Sequence, residues 1–345
     1  MSEVVERSER RVLLVVLLVL LALLATAALV PDSRSRAASG TRPSSALAGF
    51  ETVPPLGNPD GQGAASAEPE PEAEPEAGPA PAPAGTLPNG ADKIFGDNRF
   101  LVAYYGTAGT GALGVLGEAD PERIIGRLTR AAKAFARKRS ATQVVFELIV
   151  TIADAGPGED GDYSHDIARE DVQRYIDAAH EHEALLLLDV QPGRADFLDV
   201  AKRWAWALKD PYVGLALDPE WRMGKHGVPG QRIGSVGADE VNRTSAWLRD
   251  LVKQNALPQK LFVLHQFRTD MIRDIDQIQP RTGLVMVQHV DGFGTPGQKL
   301  DTFHAVARPG QFFMGFKLFY DEDVRRMSPA DVRRINPRVR FVSFQ

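Results

Sequence analysis

An α/β chain closed into a barrel of eight parallel β/α units is the fold this sequence predicts, and three observations lead to it. Eight apolar runs recur from residue 100 onward. Stretches of helical spacing with start signals separate them. The portion carrying them is about 250 residues long, the usual size of a TIM-type barrel.

The runs cover 100–105, 143–152, 184–190, 212–218, 260–267, 283–290, 312–319 and 339–344. Most are continuously apolar, as strands covered on both faces are. Between them, Asp120-Pro121-Glu122 sets a capping residue before a proline at the first helical position, ahead of Ile124, Ile125 and Leu128. Phe197, Val200, Ala201, Trp204 and Leu208 form a helical stripe, and Val241, Leu248, Leu251 and Val252 a looser one. Thr269 opens a further expected helix with Met271, Ile272, Ile275 and Ile278 on one side, and Ser328-Pro329-Ala330-Asp331 resembles a capping box.

The eighth run reaches Gln345, so a barrel lacking its last helix is expected, with the missing cover drawn from residues before Phe100, from the preceding spacer or from a neighbour. An open doubly wound sheet is the alternative. The glycine-rich stretch from Gly106 to Gly111 fits neither a dinucleotide fingerprint nor a phosphate loop with lysine, and it reads as a flexible loop over the barrel mouth.

Ahead of the barrel the composition changes. Residues 12–30 are apolar except for Thr26 and follow Arg7, Arg10 and Arg11, the pattern of a membrane-spanning helix with residues 1–11 in the cytoplasm. Ala25-Thr26-Ala27 also matches a signal-peptide cleavage site, which would leave the protein secreted. Residues 31–93 are rich in Pro, Ala, Gly and Glu, with Glu68, Glu70, Glu72, Glu74 and Glu76 alternating among Pro and Ala, which describes a disordered linker. The expected organisation is therefore an anchor, a linker and a barrel over 94–345 outside the cytoplasmic membrane.

The absence of cysteine excludes disulfides, thiolate metal sites and a cysteine nucleophile. A net charge of −5 leaves no footprint for nucleic acid, and no cofactor is called for.

The candidate chemistry centres on Leu215-Ala216-Leu217-Asp218-Pro219-Glu220-Trp221. Positions 214, 216, 218 and 220 share one strand face and are Gly, Ala, Asp and Glu. The large residues Val213, Leu215 and Leu217 occupy the other face. Small residues suit the crowded barrel interior, so this parity aims Asp218 and Glu220 into the mouth, unless they simply pair with arginines such as Arg222 or Arg232. Polar groups end other strands: Glu147 in the second, Asp189 and Gln191 in the third, His265 and Gln266 in the fifth, Gln288, His289 and Asp291 in the sixth, Lys317, Tyr320 and Asp321 in the seventh. Tyr104, Tyr105 and Trp221 are candidates for stacking on sugar rings.

The Asp-x-Glu ending the fourth strand resembles that of glycoside hydrolase barrels, most of all the chitinase and lysozyme-type barrels. The resemblance implies that Glu220 is a general acid protonating the leaving glycosidic oxygen and that Asp218 supports it, by orienting an acetamido group of the substrate or by tuning Glu220. Independently, like-charge repulsion from the neighbouring Asp218 is expected to raise the pKa of Glu220. Met286-Val287-Gln288-His289-Val290-Asp291 stands where chitinases carry a Met-x-Tyr-Asp stretch, with His289 in place of tyrosine. Val213 and Ala216 replace aspartates of the longer chitinase signature.

Without acetamido assistance, Asp189, Asp291 or Glu147 must supply the nucleophile or base. A polysaccharide is then the expected substrate, or the ligand if the barrel only binds. A metal-dependent hydrolase using His265, His289, Asp189 and Asp218 is a different reading, unsupported by any HxH or HExxH spacing. The run from Asp160 to Asp166 alternates like a calcium loop but lacks its glycine and final glutamate, and reads as a solvated acidic turn.

Overall fold

The computed structural model describes residues 85–345. The expected cytoplasmic N-terminus, membrane segment and most of the linker lie outside the described residues. No helix among the described residues is long and apolar enough to cross a membrane.

Eight parallel strands form a closed barrel: β1 Phe100–Gly106, β2 Thr142–Ala153, β3 Leu185–Val190, β4 Val213–Leu217, β5 Lys260–Gln266, β6 Leu284–Val290, β7 Phe313–Leu318 and β8 Val339–Phe344. Each pairs with its sequence neighbour, and β1 pairs with both β2 and β8, which closes the ring. All eight expected strands are present, displaced by no more than two residues at their ends.

Six α-helices occur among the described residues: α1 Pro121–Lys133, α2 Arg169–Glu181, α3 Phe197–Arg203, α4 Ala238–Gln254, α5 Pro296–Val306 and α6 Pro329–Val332. Pro121 opens α1 after Asp120, and Ile124, Ile125, Leu128 and Ala132 bury its inner face. Capping boxes start α5 (Thr295 with Gln298) and α6 (Ser328 with Asp331), and only the second is among the expected start signals.

The helix expected from Thr269 does not form. Ile272–Arg273 is a short strand paired with Val236–Gly237, and a single 3-10 turn covers Ile275–Gln277. Asp274 sits at φ 54°, a left-handed conformation that an α-helix does not accommodate, and Pro280 closes the segment. Met271, Ile272, Ile275 and Ile278 are buried all the same, so the apolar spacing records burial under a strap rather than a helix.

The cover of β8 also comes from an unexpected place. Phe135, just after α1, packs on Phe100 and Phe344, Tyr320 stacks on Phe344, and Val332 and Ile335 complete the layer. Residues before Phe100 serve the barrel floor instead. Leu87 and Ile94 are buried against Leu101, Val145, Leu185, Leu261, Val285 and Phe341, so the end of the expected linker belongs to the barrel core. A fragment beginning at residue 95 is therefore expected to unfold at clearly lower urea than one beginning at residue 85. Each large apolar side chain lost from the floor costs about 2–5 kcal/mol. Equal midpoints would show that the floor segment adds nothing.

The strands sort their side chains by parity. Phe100, Val102, Phe146, Leu186, Leu215, Leu217, Phe262 and Phe316 face the helices, while Leu101, Ala103, Val145, Leu187, Ala216, Val263, Val287 and Phe341 fill the barrel. Gly214 is demanded by crowding, because a Cβ there would run into the Leu261 carbonyl. Within the barrel the interior rows are mostly apolar near the floor, Gln143 of β2 excepted, and polar near the mouth.

Candidate active site

That polar layer holds Tyr105 from β1, Glu147 from β2, Asp189 from β3, Asp218 after β4, His265 from β5, His289 from β6 with Asp291 after it, and Lys317 and Ser343 from β7 and β8. All lie toward the C-terminal ends of the strands, where parallel barrels carry their chemistry. The interior parity expected for 214, 216, 218 and 220 holds for Ala216, which sits in the barrel cluster, while Val213, Leu215 and Leu217 join the helix layer. Asp218 is buried at the end of β4, and Glu220 lies one step outward on the Pro219–Trp221 turn, partly exposed. Trp221 is partly exposed on the same turn.

Asp291 is the electrostatic centre of the layer. Its Oδ2 lies 2.9 Å from His265 Nδ1 and 3.1 Å from Lys317 Nζ, and its Oδ1 lies 2.8 Å from His289 Nδ1. His289 Nε2 is 3.3 Å from Ser343 Oγ. The other edge of His265 faces two acids, with Nε2 3.2 Å from both Glu147 Oε1 and Asp189 Oδ2, an ion-pair approach without good hydrogen-bond alignment. Lys317 Nζ stands 3.6 Å from the centre of the Tyr105 ring, and Gln191 donates to the Tyr105 hydroxyl at 3.3 Å.

These contacts divide the titrating groups. Burial opposes charge on Asp291, but His265 and Lys317 outweigh it and hold the carboxyl well below its usual range. Burial likewise opposes charge on His265, and Asp291, Asp189 and Glu147 together keep the imidazole protonated well above its ordinary value. Glu147 is lowered because its contact with His265 overcomes burial. Asp189 moves up, burial exceeding the help from His265. Asp218 moves well up through burial, with Glu220 and Asp189 adding to it. His289 is lowered by burial.

Glu220 is pushed up to about 7. Burial is the main cause, Lys317 pulls the other way, and Asp291 then raises it. The repulsion expected between the two acids is present and raises Asp218.

Some expected site residues fall elsewhere. Gln266 is buried on the helix side of β5, where it accepts from Gln288 at 2.6 Å and donates to the Arg268 carbonyl at 2.9 Å. It follows His265 directly, so strand parity turns it away from the barrel. Tyr104 also faces outward, packing on Tyr320 and Phe344. Arg222 is paired with Glu240 at 2.8 Å, so it is not the partner of Asp218 or Glu220.

The glycine-rich stretch after β1 has Gly109 and Gly111 exposed, with open space around Gly109, and the residues that follow it are packed. Val115 and Leu116 are buried, and a Cβ on Gly117 would strike the carbonyls of Thr107 and Thr110. Residues 160–163 form a hydrogen-bonded turn, with Asp160 accepting from Asp162 N and Asp162 accepting from Ser164 N, and lead into the short strand Ser164–Asp166, which pairs antiparallel with β2 and has Arg203 3.3 Å from Asp166.

Two supporting residues lie outside the expected set. Lys299 of α5 is buried, lies 3.0 Å from Asp323, and donates to the Gly292 and Lys317 carbonyls at 2.6 and 2.9 Å. It thus braces the chain on both sides of the mouth. Ser343 is indicated only by its inward parity on β8.

Among the described residues, one group of three ligand atoms lies close enough for a single ion, from His265, His289 and Asp291. Asp291 already bridges both Nδ1 atoms there, and the Lys317 ammonium lies 3.1 Å away, which disfavours a further cation. Compared with known proteins, the chain matches no protein-family model and no curated protein.

Proposed function

We propose that this protein is a glycoside hydrolase of the extracytoplasmic side of a bacterial membrane, acting on an envelope or extracellular glycan with Glu220 as general acid. The observation carrying this reading is the pairing of position and protonation. Glu220 is a partly exposed carboxyl at the rim of a polar barrel mouth, and it keeps its proton up to about pH 7.

In this mechanism Glu220 delivers its proton to the glycosidic oxygen as the bond from that oxygen to the anomeric carbon breaks. Positive charge then develops on the sugar ring. Glu147 is the carboxylate suited to face that charge, because His265 keeps it ionised, whereas Asp291 is committed to Lys317 and two imidazoles. Water supplies the hydroxyl to the anomeric carbon, and its other proton returns to the enzyme. Asp189 and Asp218 would line the sugar site, with Tyr105, Lys317, His265, His289 and Asp291 holding the layer together and Trp221 at the rim as a stacking surface.

The test is a panel of peptidoglycan, chitin-like and neutral polysaccharides, assayed for binding and for new reducing ends. Cleavage of one of them, lost in Glu220→Gln, supports the reading. Binding without cleavage would make this a glycan-binding barrel.

The location is part of the proposal, motivated by the apolar stretch 12–30 and the arginines before it. Protease added to intact spheroplasts is expected to release a soluble barrel fragment cut before residue 85. Protection of the barrel until the membrane is broken would place it on the cytoplasmic side.

A further inference from the structure

The floor of the barrel, opposite the polar mouth, carries a one-sided charge distribution that the catalytic reading does not use. Around the N-terminal ends of β8, β1 and β2 stand Lys93, Arg99, Arg137, Lys138, Arg139, Arg333, Arg338 and Arg340, with Asp92 and Asp97 as the acids in the same strap. The groups are contiguous. Arg338 reaches the Asn98 side chain at 2.7 Å, the Asn98 amide donates to the Arg139 carbonyl at 3.3 Å, and Arg340 donates to the Phe95 and Arg99 carbonyls at 3.1 and 3.2 Å. Arg333 is pulled down to about 10, first by burial and then by the charges of Arg137, Arg338 and Arg340.

Beside this cluster lies an aromatic pair. Phe95 and Phe313 have ring centres 4.7 Å apart, and the Arg340 guanidinium sits 4.8 Å from the Phe95 ring. Phe313 is 43% exposed, one of two large apolar side chains among the described residues left so open. The other, Val324, lies at the mouth end, where its amide bonds to the Gly294 carbonyl. The far side of the floor, near β3 and β4, carries Glu181, Glu183 and Asp210 instead. The described residues begin at this same end of the barrel, Gly85 packing on Pro211 ahead of β4.

We propose that the basic half of the floor, with Phe313 and Phe95 at its edge, docks on an anionic lipid bilayer and turns the barrel mouth away from the membrane. Clustered arginine and lysine are drawn to the negative surface potential, and an exposed aromatic ring at the edge of such a cluster partitions into the headgroup region. Docking of this kind is independent of the chemistry at Glu220. It gives a tethered barrel a fixed orientation toward material beyond the membrane.

The chain contains no cysteine, so one introduced thiol can be labelled uniquely. Full-length protein carrying a fluorophore at Ala136→Cys on the floor, or at Val324→Cys by the mouth, is reconstituted into phosphatidylcholine vesicles with and without phosphatidylglycerol, containing a headgroup nitroxide quencher. Quenching is expected at position 136 and not at 324, only in the anionic vesicles. The contrast should disappear at about 0.5 M salt, where screening is strong. It should also disappear in Arg137→Glu/Lys138→Glu/Arg139→Glu, whose side chains are exposed, and weaken in Phe313→Ser. Equal quenching at the two positions would overturn the proposal, as would neutral vesicles quenching as well as anionic ones. Capture of soluble polyphosphate without any vesicle response would overturn it too, and would assign the patch to a soluble polyanion.

Discussion

Glu220→Gln is expected to lower glycan cleavage by about 10²-fold to 10⁴-fold, the usual contribution of a positioned general acid, while glycan binding survives. The amide keeps the shape of the carboxyl and loses the transferable proton. In the parent, activity should fall as pH rises through about 7, the pKa of Glu220. A second signature separates this role from a structural one. A carboxyl whose folded pKa is raised from 4.5 to about 7 holds a proton that the unfolded chain releases, so it makes the fold less stable as pH rises through that window. The penalty at pH 8 is on the order of 3 kcal/mol. Glutamine has no charge to bury, so the variant should be more stable than the parent above pH 7 and nearly equal to it near pH 4. An inactive variant that is also destabilised at pH 8 would point to lost packing, and a fully active one would remove Glu220 from the chemistry.

Much of this arrangement is legible in the sequence because strand parity is a hard constraint. Once Gly214 and Ala216 are recognised as barrel-facing, Asp218 must face the same way, and the same counting applied to the other strands points Tyr105, Glu147, Asp189, His265, His289, Lys317 and Ser343 inward. Gln266 and Tyr104 show the rule neglected, since each is adjacent to an inward residue and must point outward. The errors in the connections have a different origin. Apolar spacing after Thr269 reports burial of Met271, Ile272, Ile275 and Ile278 but cannot reveal the left-handed turn at Asp274 that forbids a helix. Leu87 and Ile94 stand at the end of a Pro- and Ala-rich stretch, and only the closed floor gives them apolar partners. Lys299 and Asp323 meet through tertiary packing alone.

The protonation pattern was beyond reach for a related reason. The acid pair announces its repulsion, but burial is the largest influence on both acids and Lys317 and His265 oppose it. Those two cations come from β7 and β5, far from Glu220 in sequence. The result is a division of labour among six acidic or imidazole groups on neighbouring strands. Glu147 and Asp291 are held ionised, Glu220 retains its proton to neutrality, and Asp189 and Asp218 are shifted toward the neutral form. His265 is the cation that makes the first two possible.

Asp291→Asn is expected to cost about 3–5 kcal/mol of stability near pH 6, the range for breaking a buried ion pair, because it leaves Lys317 and His265 buried without their shared anion. The pH dependence follows from the signs of the two shifts. Asp291 has a lowered folded pKa, so its stabilisation is present above the unfolded value near 4 and is lost as pH falls through the folded one. His265 has a raised folded pKa, so its stabilisation is full below the unfolded value near 6.5 and is lost as pH rises through the folded one. With asparagine at 291, His265 loses the largest charge that raises it and keeps only Asp189 and Glu147 against burial, so its charged form is less favoured. The variant therefore loses most against the parent in the mildly acidic range between those limits, and the gap narrows toward alkaline pH as the parent's imidazolium also gives up its proton. Urea unfolding at pH 5, 6, 7 and 9 measures this directly. A loss under roughly 1 kcal/mol at pH 6, the size of an ordinary surface ion pair, or a loss that does not change with pH, would mean that Asp291 does not anchor the charged layer.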